Sequence, residues 1–362
     1  MLRADQLFES ALEDDPEFAR AWAARCDANA QLFEFTRSAK WMVEAEEYCA
    51  EALGRDPSLT DVRVALARLM TLAGRYDEAM DQLNTARATD SSNADVWRAF
   101  GLVYERQDKK SAAETAFLRA VKLAPGDLRI YQDLGTLYFD HGRLEDSEAI
   151  FREMVAASGG SAAEYTGLGS ALLLQGRFAE SASAYRQAIV NEPNPRTFTN
   201  AGTAYFYQGK FRDAAVMMRE AVALSPDDYR LVGNLADALM HMPGDEEEAL
   251  ILYGHAADLA EQSLALNPED VYALSMIAHF YAELGREDDA RVAIERAVNL
   301  GPEQFYIHYF AGLSWVDLQR YDEALESLRL AVESGYPKKL LAADPHLDQI
   351  RNTPEFQAII GG

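Results

Sequence analysis

The sequence predicts an all-α protein built from one repeated helical hairpin, and three observations lead there. A small residue, an aliphatic, three variable residues and a proline recur seven times: ALEDDP ending at Pro16, ALGRDP at Pro57, AVKLAP at Pro125, AIVNEP at Pro193, AVALSP at Pro226, SLALNP at Pro268 and AVNLGP at Pro302. The intervals between those prolines are 41, 68, 68, 33, 42 and 34 residues, so a unit of about 34 residues runs the length of the chain, with two longer copies. Within one unit, Trp97, Phe100, Gly101 and Tyr104 fall on one face of a helix, and Ala113, Phe117 and Ala120 do the same after a polar break at QDKK.

Each element has a local reason. Pro125 lacks a backbone N–H and pushes its predecessor out of the α region, so the second helix of the unit stops there. Gly74, Gly142, Gly176, Gly209 and Gly285, each followed by Arg or Lys, supply the left-handed residue that ends a first helix. Asn194 before Pro195 makes an N-cap with proline at the first helical position, and Asp127, Asp228 and Asp270 stand at the equivalent capping place. The acidic runs 245–248 and 287–289 open second helices, where carboxylates suit the positive end of the dipole.

Composition narrows the function. A net charge of -25 across 362 residues repels phosphate backbones, so no nucleic-acid partner is expected. No stretch approaches the apolar length of a membrane span and the start lacks a signal-peptide pattern, so no membrane insertion and a cytoplasmic location are expected. Cys26 and Cys49 are too few for a disulfide framework or zinc site and read as small buried packing residues, although they lie on the two helices of one unit. The six histidines are scattered with no i, i+4 pair, and His308 reads as structural. Nucleotide, metalloprotease and nucleophile-elbow motifs are absent, so no catalytic residue, no cofactor and no metal are expected. A pocket enzyme or sensor would need a buried cluster of titratable residues, and the sequence displays none.

The offsets of Trp, Phe-Gly, Tyr, Ala, Phe, Ala and Pro resemble the tetratricopeptide repeat (TPR). Nine repeats start at Ala19, Thr60, Ala94, Leu128, Ala162, Pro195, Tyr229, Val271 and Phe305. A partial repeat, an orphan second helix, precedes them over 1–18; the repeats fill 19–338 and a C-terminal cap follows over 339–362. Position 20 reads Ala4, Ala45, Ala79, Ala113, Ser147, Ser181, Ala214, Ala256, Ala290 and Ala324; position 8 is equally small throughout, from Cys26 to Gly312. The repeats at Ala19 and Tyr229 are longer by about two helical turns, which predicts lengthened helices, with HMPGD (241–245) as the break in the second.

The resemblance implies an α-solenoid, a right-handed superhelix whose first helices line a concave groove through positions 2, 5, 6, 9, 12 and 13, and a non-catalytic bacterial scaffold for a protein or peptide partner. On those positions Arg129, Arg196 and Arg230 are candidate anion readers; the alternative pairs Arg129 with Asp127 and Arg230 with Asp228. Tyr207, Tyr272, Tyr306 and Tyr309 are candidate aromatic anchors, with Gln132, Thr199 and Thr203 between them and Asn200 and Asn234 placed to meet peptide backbone. A partner with acidic or aromatic-acidic segments is expected. The ending GYPKKLLAADPHLDQIRNTPEFQAII also resembles the close of TPR modules in bacterial kinase- or cyclase-linked signalling proteins, so the alternative is a regulatory module acting on its own catalytic domain.

Overall fold

A computed structural model describes residues 2–36 and 38–361. Met1, Arg37 and Gly362, which fall within the expected segments 1–18, 19–59 and 339–362, lie outside the described residues, as does the side chain of Ala4. The chain divides into two compact units, Met1–Arg143 and Leu144–Gly362. Every regular element among the described residues is helical.

The N-terminal unit holds α1 (Leu2–Asp14) and the hairpins α2 (Ala19–Thr36) with α3 (Ala39–Arg55), α4 (Thr60–Leu72) with α5 (Tyr76–Thr89), and α6 (Ala94–Arg106) with α7 (Lys110–Leu123), followed by α8 (Leu128–Asp140). The C-terminal unit holds α9 (Leu144–Ser158) and the hairpins α10 (Ala162–Leu174) with α11 (Phe178–Asn191), α12 (Pro195–Phe206) with α13 (Phe211–Leu224), α14 (Tyr229–Met240) with α15 (Glu246–Leu266), α16 (Val271–Glu283) with α17 (Glu287–Leu300), and α18 (Phe305–Asp317) with α19 (Tyr321–Glu333). A tail of α20 (Lys338–Ala343), a 3-10 turn (Pro345–Leu347) and α21 (Pro354–Gly361) ends it. Both long repeats gain helix: α2 and α3 are each lengthened, and α15 runs 21 residues after the break at His241–Asp245.

Inside each hairpin the small residues do what their size allows. The described position-20 side chains Ala45, Ala79, Ala113, Ser147, Ser181, Ala214, Ala256, Ala290 and Ala324 are fully buried. Position 8 faces position 24 of the partner helix: a Cβ on Gly101 would sit 2.5 Å from Phe117, one on Gly169 2.9 Å from Tyr185, and one on Gly312 2.5 Å from Leu328. In the first hairpin the same two positions are Cys26 and Cys49, with Cα atoms 5.2 Å apart, and the sulfurs are joined as a disulfide. That corrects the reading of two packing thiols: the register that brings Gly101 against Phe117 and Gly312 against Leu328 puts the two cysteines face to face.

The recurring proline phrase also has a second role. Its carbonyl accepts from the side chain at position 4 of the next helix: Pro16 from Trp22 at 3.0 Å, Pro57 from Arg63 at 2.8 Å, Pro125 from Tyr131 at 3.2 Å and Pro302 from His308 at 2.8 Å. His308 is structural in this way. The caps form where expected, on Asp127, Asn194, Asp228 and Asp270.

The five predicted turn glycines all have positive φ. At the equivalent turns of two repeats, Asp108 (φ 54°) and exposed Gln319 (φ 58°) take the left-handed conformation without glycine. A side chain there costs on the order of 1 kcal/mol relative to glycine. Gln319→Gly is expected to raise the melting temperature of the C-terminal unit by about 2–4 °C, read by thermal denaturation beside the parent.

Candidate functional site: an inner helix face holding the chain's own tail

Within each unit, successive first helices pack side by side: α2 on α4, α4 on α6 and α6 on α8 in the first, α10 on α12, α12 on α14 and α16 on α18 in the second. Two candidate groove residues fall in the N-terminal unit. Arg129 folds back on its own helix cap, 2.6 Å from Asp127, and reaches Asp95 at 3.0 Å, so the local pairing takes up its charge. Gln132 donates to Thr136 at 3.4 Å. Beside them Arg98 pairs with Asp133 at 2.5 Å. Burial, then the charges of Asp133 and Asp140, raises the carboxyl of half-buried Glu105 above its ordinary range.

A raised folded-state value disfavours the charged form, so stability falls as pH rises from about 4.5 through the folded value. Glu105→Gln removes that penalty. It is expected to stabilise the protein at pH 7, by under about 1 kcal/mol, and to have little effect at pH 4. Denaturant unfolding at the two pH values measures it.

In the C-terminal unit Arg230 is likewise clamped on Asp228 at 2.5 Å, as the alternative reading had it. Arg196 is exposed and has no ion-pair partner among the described residues. Half-buried Asn200 on α12 and Asn234 on α14 have no side-chain hydrogen bond among the described residues. Thr199 spends its hydroxyl on the Pro195 carbonyl at 2.9 Å, while the Thr203 carbonyl receives the Tyr207 N–H at 3.1 Å. Tyr272 is 36% exposed and packs edge-on against Tyr306, with centroids 5.2 Å apart.

Tyr207 and Tyr309 meet the chain's own tail. Tyr309 stacks on Tyr336 with centroids 4.3 Å apart and donates its hydroxyl to Asp344 at 2.7 Å. Tyr207 stacks on Phe178 and its hydroxyl lies 3.4 Å from that of Tyr336. Burial pushes both hydroxyls well above the ordinary tyrosine value. Leu340, Leu341, Leu347, Ile350 and Phe356 join one apolar cluster with Leu313, Val316 and Leu328, against which Leu173, Leu174 and Phe178 also pack. Lys339 comes within 3.6 Å of a Cβ placed on Gly176. The tail thus lies against Tyr207 at the end of α12 and Tyr309 of α18 as well as capping the last hairpin.

The same tail completes a polar cluster. Asp237 on α14 lies 3.1 Å from His279 Nε2 on α16, and 3.7 Å from His346 Nε2 in the tail. Tyr253 on α15 donates to Asp237 at 2.7 Å. His279 Nδ1 faces Asp317 on α18 at 3.1 Å, and His346 Nδ1 faces fully buried Asp344 at 3.0 Å. Burial opposes charging of Asp237, but the hydrogen bond with His279 and the attraction of the His346 imidazole 3.7 Å away outweigh it and hold its carboxyl well below the ordinary range. Burial likewise opposes the charged imidazole of His279, and bonds to Asp237 and Asp317 outweigh it, raising the group to about 10. His241 is pushed down to about 4 by burial and by His346, which outweigh the attraction of Asp237, Asp344 and Asp348. Burial and Asp317 raise Glu283 to about 7.

This cluster corrects two expectations. A buried titratable set exists, and histidines scattered in sequence converge. Its signal was present: Asp237 and His279 occupy position 9, and His241, Glu283 and Asp317 occupy position 13, all of which face the groove in the repeat family.

Two tetratricopeptide repeat family models match, one over residues 73–128, 98–162, 132–195 and 276–338, the other over 39–100 and 205–255. The first alone spans more than half of the chain. The chain belongs to the tetratricopeptide repeat family. Among curated proteins none matches its sequence.

Solved TPR structures are similar in fold. The Cut9–Hcn1 heterotetramer of the APC/C matches at 16% identity and a TM-score of 0.55, covering 86% of this chain and 58% of that one. A tetratricopeptide repeat protein from Parabacteroides merdae matches at 13% and 0.53, covering 75% of this TPR chain and all of its own. The C-terminal part of a TPR protein from Cytophaga hutchinsonii matches at 18% and 0.50, covering 66% and 95%. As a TPR protein the chain is a protein-interaction scaffold in general. No helix among its described residues is long and apolar enough to cross a membrane.

Proposed function

We propose that this TPR protein is a non-catalytic bacterial scaffold that takes a peptide segment of a partner protein along the inner helix faces of its C-terminal unit. One observation carries the reading: those faces already hold a segment from outside the repeats, the tail from Tyr336 to Leu347 with its short helix and 3-10 turn, by aromatic stacking and side-chain hydrogen bonds. A surface that does this for its own chain has the chemistry to do it for another. On α12, α14, α16 and α18, the first helices of the same unit, the unspent groups of Arg196, Asn200 and Asn234 and the rings of Tyr272 and Tyr306 suit a segment with acidic and aromatic side chains. Arg129 and Gln132 belong to the other unit, and Arg129 and Arg230 are already neutralised, so Arg196 is the anion reader of this proposal.

The test is a displayed peptide library selected on the full chain. Enriched acidic-aromatic peptides should bind the parent at least tenfold more tightly than an Arg196→Glu, Asn234→Ala, Tyr272→Ala variant of unchanged helicity, measured by fluorescence polarisation. Equal binding to both proteins overturns the inner-face assignment. Cytoplasmic location is part of the proposal and has its own readout. The Cys26–Cys49 bond of the structure is the oxidised form of the pair, and a reducing compartment would hold it open. Alkylation in fresh lysate should therefore find two thiols that close on oxidation of the purified protein, and a disulfide already closed in the lysate places the protein elsewhere.

A further inference from the structure

The cluster that pins the tail has the donor set of a metal centre rather than of a simple ion pair. Asp237, His279 and His346 each offer one ligand atom, and those three atoms lie within 4.8 Å of one another. The two separations from the Asp237 carboxylate, 3.1 and 3.7 Å, match those between neighbouring ligands of a metal bound at about 2 Å from each.

The outer contacts point the same way. Each histidine turns Nδ1 to a carboxylate, His279 to Asp317 and His346 to Asp344, and turns Nε2 to Asp237. Carboxylate–histidine–metal relays have this form, because the outer carboxylate fixes the tautomer and aims the other nitrogen. The His346 side chain is only 5% exposed, yet its Nε2 has no hydrogen-bond partner, a costly state for a buried polar atom. His241, four residues beyond Asp237, brings a second buried Nε2 without a partner, its ring centroid 5.1 Å from that of His346. Asp237, Asp317, Asp344 and Glu283 also concentrate negative charge where little water enters.

We propose that Asp237, His279 and His346 bind one divalent transition-metal ion of the zinc class, and that the ion staples the tail to the inner face of the C-terminal unit. Two ligands come from the repeats, on α14 and α16, and one from the tail, so binding and tail docking are one equilibrium. Nitrogen-rich donors select zinc, cobalt or nickel over magnesium and calcium. The site goes beyond the partner-binding proposal and stands without it.

The experiment uses the full chain, stripped with a chelator and dialysed. Zn2+ is titrated against a chromophoric competitor in excess Mg2+, which saturates the diffuse acidic surface. Co2+ absorption and hydrogen exchange of residues 336–350 are followed in parallel. One equivalent should bind, with visible cobalt bands and slowed exchange in the tail. His279→Gln and His346→Gln should weaken binding at least about 100-fold, and Asp317→Asn about 10- to 100-fold through its hold on His279. Exposed His255→Ala should change nothing, and circular dichroism verifies that each variant is folded. Absence of one-to-one binding overturns the proposal. So does affinity unchanged in His346→Gln, or lost in Glu283→Gln but kept in His346→Gln, which would put the ion on the Asp317 side of His279.

Discussion

Asp344→Ala is expected to destabilise the C-terminal unit by about 3–5 kcal/mol and to release the tail from the inner helix face. Asp344 is fully buried and serves three donors: the Tyr309 hydroxyl at 2.7 Å, the His346 backbone N–H at 3.1 Å and His346 Nδ1 at 3.0 Å. Its backbone carbonyl is held by Arg351 at 2.5 Å. Alanine would leave an enclosed tyrosine hydroxyl without an acceptor and an imidazole without its carboxylate. The cost is therefore the desolvation of the abandoned groups, more than the worth of one hydrogen bond. Asp344→Asn retains an acceptor for Tyr309 and should cost clearly less.

The readout is hydrogen exchange resolved by segment, because repeat arrays can open at one end without unfolding throughout. Faster exchange should be confined to α18 through α21. A loss below about 1 kcal/mol, with the tail still protected, would mean that its docking rests on Leu347, Ile350 and Phe356 alone.

What was legible follows from what repeats. A residue such as Ala113 or Gly101 is forced by a neighbour in its own hairpin, and the same forcing recurs about every 34 residues, so alignment of the chain with itself exposes it. The tail obeys no such register. Tyr336 meets Tyr207 across 129 residues of sequence, and nothing in the spacing of either indicates the other. The polar cluster was half legible for the same reason. Asp237, His279 and Asp317 stand on inner-face positions, but their partners His346 and Asp344 belong to the tail, outside every repeat. For Arg129 and Arg230 the sequence left two readings, a ligand site or a pairing with the cap aspartate two residues earlier, and the pairing is what forms because that carboxylate is close enough to claim the guanidinium.

The second large effect lies in the N-terminal unit, where Phe117→Ala should cost about 3–5 kcal/mol. Phe117 is fully buried, and its ring occupies the space left by the missing Cβ of Gly101 on the facing helix. The pairing makes the loss partly reversible by a change on the other helix. Gly101→Leu alone should also destabilise, since even a Cβ there would lie 2.5 Å from the ring and overpacking costs about 1–3 kcal/mol. Combined, the leucine enters the volume that the ring vacates, and it forms helix better than glycine. The double variant should therefore be more stable than the sum of the single changes by at least about 1 kcal/mol, a coupling expected only of residues in contact. Denaturant unfolding of the four proteins measures it, and additivity within about 0.5 kcal/mol would refute the contact. The first hairpin carries that pairing in covalent form. Cys26 and Cys49 hold positions 8 and 24, so the register that sets Gly101 against Phe117 and Gly169 against Tyr185 sets two matched sulfurs there.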